Sequence, residues 1–313
     1  MKNRRETSRH AANISEIICG CVALLKRRVG TLSTKTAINA GLRYAILIAV
    51  GFILAYPLLW MVGSSFKFNA DIFGNLAILP PAGRATTQFY PAAWQLSPSN
   101  TMAFYYMNTL RFLVPRVIGT VLSCTLAAFA IARFSFPGKK IIFTIVIVTL
   151  LMPELAFRIP IFMLYSSWGI LDTFMALYIQ DFFAVNSFFV FMIIQFMRTI
   201  PRELDEAAHI DGCGPLRTLI YILVPVLRPI IITVGLLSFM WGMNDFQGPL
   251  IFLISPDRRV LALALRMLVQ EYDVTHYGRI FAAAFMALIP TLAIFFACSR
   301  FFVEGAIASG GKE

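Results

Sequence analysis

The sequence predicts an all-α integral membrane protein with six transmembrane helices, and three observations support that fold class. The 313-residue chain is 58% hydrophobic and only 14% charged, whereas soluble domains carry about 25% charged residues. It contains six apolar stretches, each of which reaches the length of about 20 residues that a helix needs to cross a bilayer. These stretches must be helical, because lipid cannot satisfy the hydrogen bonds of an open backbone.

The six spans divide the chain into three predicted regions. The spans are expected at residues 44–66, 112–132, 141–165, 176–197, 230–254 and 280–302. The regions are a basic N-terminal extension, a six-span domain and a short tail, at residues 1–43, 44–303 and 304–313. Inside the six-span domain, residues 67–107 form the largest external loop, and residues 198–229 form a cytoplasmic loop that we call the 198–229 loop.

The distribution of Lys and Arg predicts the orientation, because cytoplasmic loops carry an excess of these residues. Basic residues are concentrated in the first 43 positions, after the second span, and in the 198–229 loop, which contains Arg198, Arg202, Arg217 and Arg228. Both termini are therefore predicted to be cytoplasmic. Arg258, Arg259 and Arg266, between the last two spans, oppose this assignment but are fewer. The net charge of +11 is explained by basic residues beside anionic lipid and requires no nucleic acid.

The strongest functional signal lies in the 198–229 loop, at Glu206-Ala207-Ala208-His209-Ile210-Asp211-Gly212. Thr199 is predicted to cap a helix there, with Pro201 in the first turn. Gly212 is placed to end that helix in a left-handed conformation. The residues predicted to share one face, at helical spacing, are Leu204, Ala207, Ala208 and Asp211. Two alanines on one face would let another surface approach closely.

A second helix is predicted to follow this segment from Pro215. Pro225 and Pro229 should break or kink it before the fifth span begins. Its predicted apolar face consists of Leu216, Leu219, Ile220 and Leu223.

Glu206, Ala207, Ala208, Asp211 and Gly212 match the E-A-A-x-x-x-G loop of ABC importer permeases, in which Asp precedes the Gly. The chain resembles that family from about residue 42 to residue 312. The stretches 159–160, 168–173, 200–204 and 302–305 are similar to its maltose-type carbohydrate branch. An ordinary amphipathic loop helix is the alternative interpretation of the seven residues alone.

The resemblance implies a type I importer fold in the bacterial inner membrane, in which the E-A-A segment is a coupling helix seated in a cleft of a separate cytoplasmic ATPase. The implied partners are a second homologous permease subunit, two copies of that ATPase and an external solute-binding protein. ATP and magnesium would be bound by the ATPase, so no cofactor is expected in this chain. The implied function is a permease subunit that forms half of the translocation pathway for a sugar or oligosaccharide. A polyol, glycerol phosphate or other small solute is an alternative cargo.

Polar residues inside spans are candidates for the substrate pathway. In the fifth span, Trp241, Asn244, Asp245 and Gly248 recur at helical spacing, and an aromatic ring beside amides and a carboxylate suits a sugar. The stretch 239–250 is also similar to the W-N-x-F…P-L stretch of carbohydrate-importer permeases. The predicted pathway residues are Trp241, Asn244, Asp245, Gln247 and Asn186. Hydrogen bonding between helices, or a water layer at the end of the span, is the alternative interpretation.

Three further predictions concern charges and catalysis. Glu154 and Arg158 are four residues apart in the third span, an order that favours a helical ion pair. Arg116, in the second span, should face protein or water. No catalytic or metal site is predicted, because residues 305–312 do not fit the P-loop spacing and the three histidines are scattered.

A self-contained secondary transporter is the remaining alternative, but the inverted repeats that it requires are not seen in the sequence.

Overall fold

The computed structural model describes residues 34–74, 76–153, 155–271 and 276–310, and in these residues every regular element is helical. The chain divides into two compact units, residues 1–60 and residues 61–313. Most of the predicted N-terminal extension and the predicted partner of Arg158, Glu154, lie outside the described residues. The first helix, Thr34–Ser64, begins before the predicted first span, inside the region assigned to the extension.

Four stretches are long and apolar enough to cross a membrane singly: Gly41–Ser64, Met102–Arg133, Met175–Arg198 and Tyr277–Cys298. Two further spans are counted if each of two broken helix pairs is taken as one, namely Lys139–Leu151 with Leu155–Ser167, and Pro215–Val226 with Arg228–Asn244. In the described residues, the structure therefore confirms an all-helical architecture with four to six candidate spans. The last helix runs over Tyr277–Gly310, so its described part includes most of the predicted tail.

The spans are joined by short helices and turns. The short α-helices are Asn69–Gly74, Phe89–Trp94, Glu203–Ile210, Gln247–Phe252 and Leu261–Glu271. The fourth span combines Met175–Tyr178, the 3-10 turn Ile179–Phe183 and Ser187–Arg198. A second 3-10 turn covers Pro256–Arg258.

The predicted kink before the fifth span is confirmed. Pro215–Val226 and Arg228–Asn244 meet at an angle of 81°, between Pro225 and Pro229. A proline lacks the N–H that would bond to the preceding turn, and its ring clashes with that turn, so two prolines at this spacing favour a sharp change of direction.

The fifth span, predicted as one helix over residues 230–254, is interrupted. Its first helix ends at Asn244, and Asp245 adopts an extended backbone with ψ of 108°. The Asp245 Oδ1 atom accepts a hydrogen bond from the Gly248 N–H at 3.0 Å. This local side-chain bond competes with the helical ladder and stabilises the break. The helical spacing had predicted that Gly248 continues the face of Trp241, but the break in the helix separates the two residues.

Two buried apolar clusters lie in the second unit. One contains Phe112, Leu113, Tyr165, Phe252 and Leu268, near the loops predicted to be external. The other is lined by Phe129, Phe189, Ile193, Met197, Leu223 and Leu227, near the 198–229 loop. Each cluster draws side chains from several spans, so the spans pack on one another at both ends.

Hydrogen bonds join loops that were predicted to share a side of the membrane. Asn108 Nδ2, near the outer end of the second span, donates to the carbonyls of Asp257 and Arg259, both at 2.9 Å. Arg279 donates to the carbonyls of Ala92 and Gln95 at 3.0 and 2.7 Å. The arginine-rich connection between the last two spans thus packs with the predicted external loop. Which side is cytoplasmic stays a prediction.

Asp172, in the loop between the third and fourth spans, ties that loop to residues 254–258. Its carboxylate accepts hydrogen bonds from the Ile254 N–H at 2.9 Å, the Ser255 N–H at 2.9 Å and the Ser255 hydroxyl at 2.5 Å. Arg258 lies 3.8 Å away. Burial opposes ionisation, but the bonds from Ser255 and Ile254, together with the Arg258 charge, outweigh it and hold the pKa of Asp172 below its ordinary value.

Replacing Asp172 with asparagine should lower the melting temperature at neutral pH, because hydrogen bonds to a charged group contribute about 1.5–3 kcal/mol. A depressed pKa means that this stabilisation is present above the ordinary aspartate pKa of about 4 and is lost as the pH falls through the folded value. The difference between Asp172→Asn and the unmodified protein should therefore shrink in acid. Melting temperatures measured in detergent between pH 7 and pH 3 check this, with the exposed Asp257→Asn as the control. A difference that is independent of pH would contradict the assignment.

Candidate functional site

The E-A-A segment forms a short helix, Glu203–Ile210, which we call the loop helix. Gly212 follows it with φ of +75°, in the left-handed region that favours glycine. The Gly212 N–H donates to the His209 carbonyl at 3.0 Å, and the Cys213 N–H donates to the Ala208 carbonyl at 2.9 Å. These two bonds form a Schellman motif, which satisfies the last carbonyls of the helix. The prediction that Gly212 ends the helix in a left-handed conformation is confirmed.

The start of the loop helix differs from the prediction. The residue before its first turn is Arg202, and no side chain caps it. Thr199 instead follows the preceding helix, where its hydroxyl donates to the Phe196 carbonyl at 2.7 Å. Pro201 lies ahead of the loop helix rather than in its first turn. The acidic residues of the first turn, Glu203, Asp205 and Glu206, lie where the helix dipole favours negative charge.

The predicted face of the loop helix, which was expected to meet another surface, is only partly open. The predicted face was Leu204, Ala207, Ala208 and Asp211, and of these only Ala208 is buried, at 3% exposure. Asp205 turns inward with Ala208 and is partly buried. The opposite side carries Glu206 and Ala207, both exposed, and Ile210, which is 85% exposed. The two alanines therefore do not form one contact surface: Ala208 packs inward and Ala207 is open.

Arg133, the last residue of the second-span helix, explains why Asp205 turns inward. Its Nε lies 3.0 Å from Asp205 Oδ2, and its Nη1 and Nη2 donate to the Ile200 carbonyl at 3.3 and 3.2 Å. The Arg133 side chain is only 8% exposed. Sequence reasoning treated Arg133 solely as a basic residue next to the membrane. No sequence signal pairs it with Asp205, because the two residues are distant in the chain.

The segment after the loop helix contains a π-helical turn, Thr218–Leu223. Thr218, Leu219 and Leu223 are buried there, whereas Leu216 and Ile220 are exposed, so only half of the predicted apolar face was correct. The i→i+5 bonding of a π-helix widens each turn and changes which residues point inward. The loop helix packs on this turn.

A polar cluster joins the second, fourth and fifth spans. Arg116 Nη1 lies 3.4 Å from Asp245 Oδ2, and its Nε lies 3.9 Å from Asp181 Oδ2. The Thr120 hydroxyl donates to Asp181 Oδ1 at 3.1 Å. The prediction that Arg116 faces protein or water is confirmed. Asp181 and Asp245 are both largely buried, so each carboxylate depends on polar partners.

The structure gives the predicted pathway residues different surroundings. Trp241 is exposed and stacks on Phe189, with 4.9 Å between ring centroids. Asn244 donates to the Met240 carbonyl at 2.8 Å and lines a groove of about 730 Å³ between the fifth span, Leu261–Glu271 and the last helix. Asn186 caps the helix Ser187–Arg198 by accepting from the Phe189 N–H at 3.4 Å. Gln247 is exposed.

Asp245, the remaining pathway candidate, is held by Arg116 and Gly248 instead of being free to meet a solute. Arg266, which lines the same groove as Asn244, was treated in the sequence only as a charge opposing the orientation. Among the side chains that the structure describes, no group of three or more His, Cys, Asp or Glu residues is arranged to hold a metal ion.

Comparisons with known proteins identify the family. Residues 119–303 match the family described as "Binding-protein-dependent transport system inner membrane component". The chain is 29% identical over 273 residues to the diacetylchitobiose uptake system permease protein NgcG of Streptomyces coelicolor, which covers 87% of this chain and 88% of that protein. It is 28% identical over 285 residues to the maltodextrin transport system permease protein MdxG of Bacillus subtilis, which covers 90% and 99%.

Solved structures show the same fold. A chain of a bacterial ABC transporter involved in the import of the acidic polysaccharide alginate superposes with a TM-score of 0.74 at 19% identity, over 86% of this chain and 98% of that chain. A second match, with a TM-score of 0.60 at 16% identity, is to an alginate ABC transporter in complex with a periplasmic protein that holds an alginate pentasaccharide. Because the family match covers more than half of the sequence, this chain belongs to the inner-membrane components of binding-protein-dependent transport systems.

Proposed function

We propose that this protein is the permease subunit of an ATP-driven importer for a sugar or oligosaccharide, receiving its cargo from an external binding protein. Relatives that match most of the chain are named for the uptake of diacetylchitobiose, lactose and maltodextrin. They are permease subunits and not enzymes, so ATP hydrolysis belongs to a partner chain. The complete transporter would contain a second homologous permease subunit and two copies of a cytoplasmic ATPase. Family membership favours this assembly over a self-contained secondary transporter.

The loop helix is the observation that carries the coupling role. The Schellman motif at Gly212 fixes the end of the loop helix. Near its start, Arg133 contacts the buried side through Asp205 and the Ile200 carbonyl. The opposite side presents Glu206, Ala207 and Ile210 to the surroundings. A rigid helix with an acidic and a bulky apolar side chain around a small alanine suits insertion into a cleft of another protein. A loop helix that docks on a cytoplasmic ATPase would lie on the cytoplasmic side, and the proposal puts both termini on that side as well.

The candidates for contact with the cargo are the exposed pathway residues Trp241, Asn244 and Gln247. The groove beside Asn244 has a volume of about 730 Å³, within the range of about 300–1,000 Å³ that is usual for small-molecule sites. An exposed aromatic ring suits the C–H face of a sugar, and amides suit its hydroxyl groups. Asp245 and Asn186 would contribute indirectly, by stabilising the break in the fifth span and the start of the fourth-span helix Ser187–Arg198.

Cysteine crosslinking at neighbouring positions of the loop helix tests the proposal. With the five native cysteines replaced, Ala207→Cys places a thiol on the exposed side, and Ala208→Cys places one on the buried side. Crosslinking in native membranes should recover an ATPase from the first variant and not from the second. If position 207 reacts with a soluble maleimide but captures no ATPase, the coupling role is wrong.

A further inference from the structure

Three residues of the second-span helix, Met102–Arg133, bond to other parts of the protein at different depths. Near its outer end, Asn108 bonds to the carbonyls of Asp257 and Arg259. In its middle, Arg116 faces Asp245, at the break of the fifth span. At its inner end, Arg133 holds the loop helix. From Asn108 to Arg133, a helix rising 1.5 Å per residue extends about 37 Å, so these bonds are distributed across the membrane.

The inner bond is well suited to transmit force. The guanidinium group of Arg133 is planar and offers donors in a fixed fork, and it reaches both Asp205 in the loop helix and the Ile200 carbonyl before that helix. Because the Arg133 side chain is only 8% exposed, solvent screens the ion pair with Asp205 weakly. The loop helix therefore cannot shift relative to the inner end of the second span without breaking a buried charged contact.

We propose that Arg133 is a positioning residue that transmits movement of the loop helix to the second span, and through the bond between Arg116 and Asp245 to the broken fifth span. This inference rests on the proposed coupling function, because it assumes that an ATPase moves the loop helix. The loop helix also packs on the π-helical turn Thr218–Leu223, which leads through the 81° bend into the fifth span. The bend is a weak path for this movement because its two arms meet at prolines. Pro115 lies inside the second-span helix but precedes Arg116, so the helix from Arg116 to Arg133 contains no proline.

The test uses the complete transporter in liposomes, with a single cysteine at Gln247→Cys and no other. The rate at which a membrane-impermeant maleimide labels this cysteine is measured without nucleotide and after trapping with ATP and vanadate. With Arg133 present, trapping should change the labelling rate. With Arg133→Gln, that change should be largely lost. Arg133→Lys should give an intermediate change, because an ammonium group cannot reproduce the fork.

Arg202→Gln is the matched control. It also replaces one arginine with glutamine, but at an exposed position beside the loop helix. It should leave the change in labelling intact. If Arg133→Gln responds like the unmodified protein, or if Arg202→Gln loses the response equally, the proposal is overturned. It is also overturned if trapping leaves the labelling rate unchanged while Arg133 is present.

A second variant, Asp205→Asn, tests the same contact in case Arg133→Gln misfolds. Asp205→Asn removes the ion pair but leaves the bonds from Arg133 to the Ile200 carbonyl, so it should reduce the response less. The double variant should match Arg133→Gln alone, since residues of one interaction are not additive. Additive losses would overturn the proposal. Crosslinking of the ATPase through Ala207→Cys, in a parallel preparation, identifies failure of the proposed function separately.

Discussion

Replacing Arg116 with glutamine is expected to destabilise the protein by about 3–5 kcal/mol, the usual effect of removing one partner from a buried ion pair. Arg116 faces Asp245 at 3.4 Å and Asp181 at 3.9 Å, and its side chain is 16% exposed. Without it, two largely buried carboxylates would lose their shared cation. Because these groups come from the second, fourth and fifth spans, the variant should loosen the packing of three spans together.

Thermal unfolding of the purified protein in detergent measures this effect. The matched control is Arg111→Gln, because Arg111 lies on the same helix, is exposed, and makes one hydrogen bond, to Asn108 at 3.2 Å. Surface substitutions of that kind change stability by less than about 0.5 kcal/mol. Equal melting temperatures for the two variants would contradict the structural role of the cluster.

A compensating variant sharpens this test. Arg116→Met combined with Asp181→Asn and Asp245→Asn removes the cation and both anions together. Replacing both partners of a buried ion pair with neutral residues is often close to neutral for stability, whereas removing one partner is not. The triple variant should therefore melt at a higher temperature than Arg116→Gln. If it melts at a lower temperature, packing or hydrogen bonding at these positions matters more than charge balance.

The second large effect is expected at the exposed surface of the loop helix. Ala207→Trp should abolish association with the ATPase while leaving insertion and melting temperature unchanged, because Ala207 is exposed and an added ring meets solvent in the isolated subunit. In a cleft that fits an alanine, the same ring would clash. Co-purification of the ATPase from membranes that express the whole transporter measures the effect. Ala207→Ser is the conservative control, and equal recovery of the ATPase with both variants would contradict the coupling role.

Gly212 offers an independent test of the same loop. A Cβ at this position would meet no atom within 4 Å, so a substitution acts through the backbone alone. With φ of +75°, Gly212→Leu should introduce strain of about 1–2 kcal/mol, which Gly212→Asn should partly avoid, because asparagine visits the left-handed region more readily. The leucine variant should therefore show weaker ATPase recovery than the asparagine variant. The reverse order would mean that the conformation of Gly212 does not control the loop.

Much of this architecture was accessible from the sequence because it depends on local chemistry. Apolar length determines which segments can cross lipid, and each predicted span finds a helical counterpart, single or broken. Pro225 and Pro229 bend the chain because of their own covalent structure, which needs no partner. Gly212 ends the loop helix for the same kind of reason, since only its own backbone freedom is involved.

The differences from the prediction arise partly from local side-chain hydrogen bonds that compete with the expected helix and partly from contacts between distant residues. Thr199 has the chemistry of a helix cap, but its hydroxyl bonds to the preceding helix. Helical spacing predicted Asp245 on a continuous helical face, but its side chain accepts a hydrogen bond from the Gly248 N–H and the helix ends before it. Helical periodicity placed Ala207 and Ala208 on one face, but the pairing of Asp205 with Arg133 turns Ala208 inward and leaves Ala207 exposed.

By itself, the sequence determined the all-helical membrane fold class, the apolar segments, the proline bend, the glycine stop and the resemblance in the E-A-A segment. Each depends on the composition or conformational preference of residues that are close in the chain. Only the tertiary structure decided which side of the loop helix is exposed, where the fifth span breaks, and that Arg133 and Arg116 join the second span to its neighbours. Those features arise because a buried charge requires a partner, and the fold alone determines which distant residue is near enough to serve.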